Sequence, residues 1–331
     1  MFDIPVVLFL FKRSDTVVRI LKQLSQVQPR KLYLLSDGGR NEAERAQVAQ
    51  CRATVEEAID WECEVIRHYA EENRGVYKNI GLGAKWVFER EKWAIFLEDD
   101  NLPELTFFPY CQELLERYEH DTRVLWVCGT NYLGEYNPLD GASYMFTQHL
   151  LPCGWASWAD KYNACYDGEF ALAEAPNMLT ELVHEYDDKA LYHQQMGSIG
   201  AELNRKKNGK RFASWDYQMA FSIRAHSVYG ISPCRNQIRN IGVDENSEHG
   251  GNSLNLIMTR RFCEIPIKPL ELPLVHPKTV MRCWDYEKKT GKIILMPLRL
   301  RLKGVLVRLL KRMLRIDPYT PIRSAFAKRK G

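Results

Sequence analysis

The first 130 residues alternate between short apolar runs and longer stretches in which apolar residues recur every three or four positions. Continuous apolar runs are typical of strands buried on both faces of a sheet, and the second pattern is typical of amphipathic helices. The runs predict strands at 5–11, 31–37, 63–69 and 93–99. The periodic stretches predict helices at about 14–28, 41–60, 76–91 and 104–119.

The first predicted helix shows the signal most clearly. Ser14 is a suitable N-cap, and an apolar face follows at Val17, Ile20, Leu21 and Leu24. Because strands and helices alternate, we expect an α/β fold with a mostly parallel sheet flanked by helices, of the kind that binds nucleotides.

The second half of the chain is less regular. Residues 151–162, "LPCGWASWADKY", are interpreted as an aromatic loop running into a helix. Strands are predicted at 123–129 and 143–147. A polar helical stretch at about 179–207 is followed by "RFASWDYQMAFSIRAH" (211–226) and "VYGISP" (228–233). After residue 252 the pattern weakens into connections that contain proline.

Three polar clusters follow three of the predicted strands: "FKRSD" (11–15), "SDGGRN" (36–41) and "EDDN" (98–101). Ligands of parallel α/β sheets bind beyond the carboxyl ends of the strands. The three clusters are therefore expected along one edge of the sheet, and their common position is more informative than any one of them.

The acidic cluster is the strongest chemical signal. Glu98, Asp99 and Asp100 follow a buried strand without a break, and clustered carboxylates repel one another and are costly to desolvate. Mg²⁺ and Mn²⁺ prefer carboxylate oxygens, with substrate phosphates and water completing the shell. The alternative is a solvated turn that stabilises the next helix, which accounts for one acid better than for three.

Other candidates are individually weaker. Asp37 is suited to a base N–H or to ribose hydroxyls, although Asp-Gly-Gly is also ordinary turn chemistry. Arg13 could contact base or diphosphate, or be a solvated loop charge. Arg74, beside a glycine, could reach a phosphate, or Asn-Arg-Gly could simply be a turn.

Aromatic residues of the second half are candidates for an acceptor or sugar surface. Trp155, Trp158 and Trp215 could present apolar faces to sugar rings, and core packing is the alternative, which we expect for at least one of them. His249 lies in a polar loop, 239–251, and a surface histidine is its plainer interpretation.

Size and composition set the broad class. The chain has 331 residues, 45% hydrophobic and 27% charged, enough for one large domain or two moderate ones. Its N-terminus lacks the basic region of a secretory signal. Nine scattered cysteines without CxxC spacing indicate reduced thiols in the cytoplasm rather than a disulfide framework or a zinc site.

Charge is unevenly distributed. Residues 297–331 contain eleven Lys and Arg and a single acid, Asp317, so this tail carries +10 and the remainder of the chain −6.

Helical spacing places apolar residues on one side of the tail: Leu302, Val305, Leu306, Leu309, Leu310 and Met313. A basic amphipathic helix of this kind suits an anionic membrane surface. Docking on the body or on a partner helix is the alternative; no nucleic-acid recognition motif accompanies the charge, so nucleic acid is not an expected partner.

A set of motifs occurs in a recognisable order: "VVLFLFKRS", "LLSDGG", "AIFLEDDNLPELTFFPY" and "VLWVCGTN", then "CGWASW" and "SWDYQ". Over about residues 5–252 the chain resembles the GT-A family of nucleotide-sugar glycosyltransferases. It is most similar to the N-acetylglucosaminyltransferase I type, whose metal motif is also Glu-Asp-Asp, and to bacterial glycosyltransferase-like proteins. One motif departs: the family carries a histidine before the acidic strand, where this chain has "GLGAKW" (81–86).

The resemblance implies roles for individual residues. Arg13 and Asp37 would contact the uridine end of a UDP-sugar. Asp100 would be the direct ligand of a divalent metal, Mn²⁺ or Mg²⁺, with Glu98 and Asp99 near ribose, sugar or metal-bound water. Asp216, in "SWDYQ", would be the catalytic base of an inverting transfer, although an apolar helical stretch follows it and an N-cap role is the alternative.

The family also sometimes places a late histidine on the metal or diphosphate, which would be His249. The identity of the donor sugar depends on the departing segment and is left open.

The expectation is a metal-dependent glycosyltransferase, cytoplasmic and peripheral on the inner face of the cell membrane, acting on a glycan or lipid-linked glycan acceptor in surface polysaccharide synthesis. The expected divisions are a donor-binding half (1–130), an acceptor-binding and catalytic half of the same domain (131–255), a connecting segment (256–296) and the basic tail (297–331).

A sugar-phosphate nucleotidyltransferase is the enzymatic alternative, although such enzymes open with a Gly-rich phosphate loop where "FKRSD" stands. The non-enzymatic alternative is a membrane-associated scaffold with a non-catalytic nucleotide pocket.

Overall fold

The computed structural model describes residues 1–243, 256–316 and 319. The strands are β1 (Val6–Leu10), β2 (Lys31–Ser36), β3 (Glu64–Tyr69), β4 (Trp93–Glu98), β5 (Asn101–Pro103), β6 (Val124–Cys128), β7 (Tyr144–Thr147), β8 (Trp155–Trp158), β9 (Tyr229–Pro233) and β10 (Ile238–Asn240).

The α-helices are α1 (Ser14–Val27), α2 (Glu42–Ala58), α3 (Leu82–Phe88), α4 (Phe107–Arg117), α5 (Ala159–Cys165), α6 (Met178–Glu181), α7 (Lys189–Lys207), α8 (Asp216–Ala225), α9 (Ile257–Phe262), α10 (Trp284–Ile294) and α11 (Leu298–Met313). A π-helical turn (Tyr77–Gly81) precedes α3, and two 3-10 turns (Leu172–Glu174 and Leu182–Glu185) flank α6.

Eight of the strands form one sheet in the order β3-β2-β1-β4-β8-β6-β9-β7. The first four run parallel, and β6 and β9 run in the same direction. Within this sheet, β8 and β7 are antiparallel to the other six strands. The predicted mostly parallel α/β sheet is therefore confirmed, and a small antiparallel pair, β5 with β10, lies at the end of β4.

Two apolar layers cover the faces of this sheet. Side chains alternate along β1, so that Val6 and Leu8 contribute to the layer containing α1, α2 and α4. Val7 and Phe9 contribute to the opposite layer, which contains α3, α5 and α8. The predicted apolar face of α1 is fully buried in the first of these layers.

The four predicted strands of the first half and the strands predicted at 123–129 and 143–147 are present within a residue or two of the predicted bounds. Two local predictions were wrong. Ser14 is the first residue of α1 and makes no cap hydrogen bond. Residues 155–158, expected in a loop, form β8, because β4 and β6 pair with them on both sides.

The segment after residue 256 is packed against the sheet. Tyr286 and Glu287 of α10 are buried at 0% and 2% exposure. The Glu287 carboxylate accepts hydrogen bonds from Thr147 Oγ1 (2.5 Å) and Gln148 N (3.1 Å) at the end of β7. The 256–296 segment is thus part of the body as well as a connection to α11.

The helix α11 has no buried residue. Positions 301, 304, 307, 311 and 314 are half-buried, and their spacing of three or four marks the side that faces the body. On the opposite side lie Leu298, Leu302, Leu306, Leu309 and Met313, which are 51–74% exposed. Within residues 1–243, 256–316 and 319, none of the helices combines the length and the apolar character needed to cross a bilayer.

Candidate functional site

The acidic triplet lies at the carboxyl edge of β4, beside the end of β1, where Glu98 is in register with Phe9. Strand alternation puts the Glu98 side chain on the same sheet face as Ala94 and Phe96, the face covered by α8. Asp99 follows the end of the strand, and its Oδ2 accepts the backbone N–H of Phe11 at 3.0 Å. The triplet is therefore tied to the loop that follows β1.

Glu98 lies in a cluster of carboxylates. Burial raises the pKa of Glu98 well above its usual value, and the nearby charges of Asp100, Asp99 and Asp216 raise it further, whereas Arg13 lowers it. Four carboxylates from two distant segments thus converge, with Arg13 as the cation that opposes them. This part of the structure carries an excess of negative charge that an additional cation would neutralise.

Asp100 is held by a dense set of donors. Arg13 Nη1 donates to its Oδ2 at 2.7 Å, and Asn101 Nδ2 (2.6 Å) and Asn240 Nδ2 (3.3 Å) donate to its Oδ1. Burial raises the pKa of Asp100, and Arg13 and the two amides offset part of that rise. Arg13 is itself 7% exposed, so the ion pair is mostly desolvated.

The strand β10 brings further groups to this place. Arg13 Nη2 donates to the carbonyl oxygen of Gly242 at 3.4 Å, and a β-carbon at Gly242 would lie 2.3 Å from both Arg13 Nη1 and Asp100 Oδ2. A larger residue at position 242 would therefore require the ends of the Arg13 and Asp100 side chains to move. Asn240 and Gly242 are not among the candidate residues predicted from the sequence.

Asp37, at the end of β2, directs its carboxylate toward the loop after β3. Its Oδ1 accepts the backbone N–H of Gly38 (2.9 Å) and Arg74 (2.6 Å). Its Oδ2 accepts Asn73 Nδ2 (3.0 Å) and the N–H of Gly75 (2.9 Å). Asp37 is 5% exposed, so in this structure it fixes the position of the 73–75 loop.

The Arg74 side chain lies beside Asn79 and His68. Its Nη2 donates to Asn79 Oδ1 at 3.3 Å, and its Nη1 is 2.8 Å from His68 Nε2. The Nε of Arg74 is buried without a hydrogen-bond partner among the described residues. The Arg74 guanidinium is therefore held beside His68 and Asn79, next to the loop that Asp37 fixes.

Asp216 is the first residue of α8 and is half-buried. It does not cap the helix. Ser214 Oγ accepts the backbone N–H of Tyr217 at 2.8 Å and donates to Asp216 Oδ1 at 2.6 Å. Because the capping role belongs to Ser214, the Asp216 carboxylate is left to interact with the group around Glu98.

A buried acid that was not predicted from the sequence supports this turn. Glu202 of α7 is 3% exposed, and its Oε2 accepts the backbone N–H of Ala213 at 2.8 Å. Burial raises the pKa of Glu202, with a further contribution from the charge of Asp216. Glu202 thus connects α7 to the turn that carries Asp216; as one acid in a polar helix, it gave no sequence signal.

The three tryptophans are core residues, which corrects the expected acceptor surface. Trp155 is 1% exposed and is stacked between Phe96 (centroids 3.9 Å apart) and Trp126 (4.0 Å). Trp158, also 1% exposed, donates from Nε1 to the carbonyl of Leu115 at 2.9 Å.

Trp215 is 3% exposed, and its ring centroid is 5.8 Å from that of Trp155. Trp155 and Trp215 both belong to the apolar layer that contains α3, α5 and α8. Because neighbouring aromatic rings cover their faces, neither tryptophan can present an apolar face to a ligand.

Whether this site fits a divalent cation can be judged from its donors. Among the residues that the structure describes, no group of three His, Cys, Asp or Glu side chains is arranged around a metal position. His249 lies outside those residues. The excess of carboxylates around Glu98 nevertheless matches a cation that takes one or two oxygens from the protein and the rest from phosphates and water. Asp100 and Glu98 would hold it.

No family model matches the sequence, and no curated protein matches it either. Among solved structures, the chain is similar to a mannosyltransferase from Pyrobaculum calidifontis in complex with GDP-mannose and Mn²⁺. The identity is 9%, the alignment covers 67% of this chain and 69% of the other, and the TM-score is 0.36.

A second similar structure is glucosyl-3-phosphoglycerate synthase from Mycobacterium tuberculosis with Mn²⁺ and UDP. It aligns at 10% identity over 48% of this chain and 57% of its own length, with a TM-score of 0.28. A UDP-glucose pyrophosphorylase complexed with UDP-glucose aligns at 9% identity over 72% of this chain and 93% of its own, with a TM-score of 0.35.

Proposed function

We propose that this protein is a metal-dependent, inverting glycosyltransferase that moves a sugar from a nucleotide-diphosphate donor, a UDP-sugar, to a glycan acceptor. The observation that carries the proposal is the convergence of Asp216 with the carboxylates that end β4, at the carboxyl edge of a parallel sheet. Ligands of such sheets bind at this edge, and the motif order found in the sequence supports the same conclusion.

Asp216 is proposed as the catalytic base. A single displacement requires a carboxylate that takes the proton of the acceptor hydroxyl as that oxygen attacks the anomeric carbon. Ser214 fixes one oxygen of Asp216 by a 2.6 Å hydrogen bond, which leaves Oδ2 for the acceptor. General-base assistance of this kind is worth about 10²–10⁴-fold in rate.

Arg13, Asp37 and Arg74 are proposed as the donor-binding groups. Arg13 is positioned at Asp100 and can contact a diphosphate there, whereas Asp37 acts by holding the backbone around Arg74. The Mn²⁺ or Mg²⁺ ion, held by Asp100 and Glu98, would supply neutralisation of the charge on the departing diphosphate. Asp99, anchored to Phe11 N, would lie near ribose.

We further propose that the protein binds an anionic membrane surface through α11, at the cytoplasmic face. The support is the orientation of that helix: its apolar side is turned away from the body, and residues 298–316 carry seven Lys and Arg and no acid. A helix that buries apolar side chains and surrounds them with cations matches anionic lipid. The acceptor would then be a lipid-linked glycan of surface polysaccharide synthesis.

The test is a screen of nucleotide-sugars by thermal shift, with and without Mn²⁺, followed by product analysis. A bound donor raises the melting temperature by mass action, and we expect the shift to require the cation. Asp100→Asn should abolish the cation-dependent part of the shift, and Asp216→Asn should retain it while losing transfer. Asp60→Asn, an exposed acid before β3 at the opposite edge of the sheet, is the matched control.

Products decide the reaction class. Release of a nucleoside diphosphate with glycan extension supports the proposal. Formation of pyrophosphate from a nucleoside triphosphate and a sugar phosphate would identify a nucleotidyltransferase instead. Absence of any cation-linked nucleotide binding would contradict both.

A further inference from the structure

A cavity lies between the start of α7 and the exposed side of α10, and none of the residues of the acidic cluster line it. Its volume is about 670 Å³. The apolar part of its wall comes from Tyr186, Leu191 and Trp284, and the indole of Trp284 is 56% exposed at the mouth. The mouth also carries the side chains of Lys189, Lys288 and Lys292.

Four carboxylates also line this cavity, and each already has a partner. Asp188 accepts the N–H of Ala190 as the N-cap of α7. Asp285 pairs with Lys289 (2.6 Å), and Asp187 lies 3.5 Å from Arg282.

The fourth carboxylate, that of Glu287, is buried with Arg224 at 3.3 Å. Arg224 in turn lies 4.0 Å from the ring of Tyr186, which closes the inner end of the cavity.

The three lysines differ from these acids. Within the part of the chain that the structure describes, no hydrogen bond or ion pair engages the ammonium group of Lys189, Lys288 or Lys292. Lys288 and Lys292 are one helical turn apart on α10, so they present their charges side by side. The cavity thus presents three ammonium groups that make no ion pair within the described residues, beside a partly apolar wall.

We infer that this cavity binds an organic phosphate ester, with the phosphate at Lys288, Lys292 and Lys189 and the organic part against Trp284, Tyr186 and Leu191. Lysines recognise phosphate as point charges, and an exposed tryptophan beside them provides an apolar contact surface with a polar rim. The site is separate from the acidic cluster and does not depend on the proposed transfer reaction.

Two sources could present this chemistry: the headgroup of an anionic lipid and a soluble phosphate ester. The position of the cavity in the structure favours the lipid headgroup. Gln194 of α7 accepts the N–H of Met296 (2.7 Å) and donates to the carbonyl of Ile294 (3.0 Å), so α7, which lines the cavity, also fixes the start of α11. The cavity therefore lies at the base of the helix whose apolar side faces outward.

The experiment uses the full chain and three probes: inorganic phosphate, glycerol 3-phosphate, and vesicles of phosphatidylglycerol in phosphatidylcholine. Lys288→Gln/Lys292→Gln is the test variant. Lys289→Gln is the matched control, because it lies on the same helix but is paired with Asp285. Calorimetry measures the soluble probes and co-sedimentation the vesicles. We expect the double variant to lose about tenfold or more in affinity, since each lysine near a phosphate is worth about fivefold.

The pattern of loss identifies the source. Loss for glycerol 3-phosphate as well as vesicles supports a soluble ester site, and loss for vesicles alone supports a lipid headgroup. Trp284→Ala should weaken binding of glycerol 3-phosphate or vesicles while leaving inorganic phosphate unchanged. If the wild type binds none of the probes, or if the double variant equals Lys289→Gln for all of them, the inference is wrong. Neither result depends on whether a nucleotide-sugar is bound at Asp100.

Discussion

The hydroxyl of Ser214 joins the N-terminus of α8 to the carboxylate of Asp216: it accepts from Tyr217 N at 2.8 Å and donates to Asp216 Oδ1 at 2.6 Å. One side chain therefore begins the helix and orients the proposed base. Hydrogen bonds to a carboxylate stabilise its charged form, so Ser214 bears on the chemistry of Asp216 as well as on folding.

Replacing Ser214 by alanine should affect both properties. Loss of the cap should lower the free energy of unfolding by about 1 kcal/mol. Loss of the hydrogen bond that fixes Asp216 Oδ1 should lower kcat by about tenfold or more. Ser25→Ala, a half-buried serine of α1, is the control. A variant that is destabilised but keeps the wild-type kcat would show that Ser214 acts on the helix alone.

Arg13→Gln should destabilise the protein when no cation is present. The Arg13–Asp100 pair is mostly buried, and removal of one member leaves the other charge uncompensated, at a cost of about 3 kcal/mol. Chemical denaturation measures this, and Mn²⁺ with UDP should recover part of the loss. Arg30→Gln breaks an exposed pair with Asp3 and should cost less than about 1 kcal/mol. Equal stability of the two variants would contradict the role given to Arg13.

Acidification should destabilise the protein through His149 and Glu287, whose side chains are 3% and 2% exposed. Burial lowers the pKa of His149 below its usual 6.5, so the folded state resists a proton that the unfolded chain accepts, and stability falls as pH drops below about 6.5. Burial favours the neutral form of Glu287, but His149, Arg224 and neighbouring groups outweigh it and lower the pKa of Glu287 below 4.5.

The contribution of Glu287 is therefore complete above about pH 4.5 and is lost at lower pH. Urea denaturation between pH 7 and 5 should show a smaller slope of unfolding free energy for His149→Gln than for wild type. His120→Gln should match wild type, since that side chain is 91% exposed. An unchanged slope in His149→Gln would mean that another group controls the acid response.

The apolar side of α11 should control vesicle binding. Leu306→Gln/Leu309→Gln removes two exposed leucines, 66% and 51% exposed, each worth about 1.5–3 kcal/mol on insertion. Flotation with anionic vesicles should show a decrease of more than tenfold, as should truncation to residues 1–296. Leu139→Gln, at an exposed turn, should float as wild type does. If intact and truncated protein float equally, α11 does not bind membrane.

The sequence predicts the central strands of this fold well because each is a continuous apolar run, and burial on both faces requires that pattern. It does not predict β8. Residues 153–158, "CGWASW", mix glycine and small residues with tryptophan, and only pairing with β4 and β6 makes them a strand. That distant pairing also buries Trp155 and Trp158, which in sequence were equally consistent with a sugar-binding surface.

In the candidate site, too, some residues can be predicted from the sequence and others cannot. The acidic triplet and Asp216 are visible in sequence because their residue types and neighbours suggest chemistry. Their partners are not: Asn240 lies 140 positions from Asp100, and Glu202 contacts the Asp216 turn from another helix. Such partners are set by the packing of whole elements, so they follow from the fold and leave little local pattern.

The four hydrogen bonds that Asp37 accepts have a consequence for specificity. Three of them come from backbone N–H groups, at positions 38, 74 and 75, and backbone donors are available from almost any residue. The side chain at position 74 can therefore be exchanged, and with it a preference among ligands, while the course of the loop over the sheet is preserved. Replacements of Arg74 should be accepted here provided that Asp37 remains and that position 75, where φ is +81°, stays glycine.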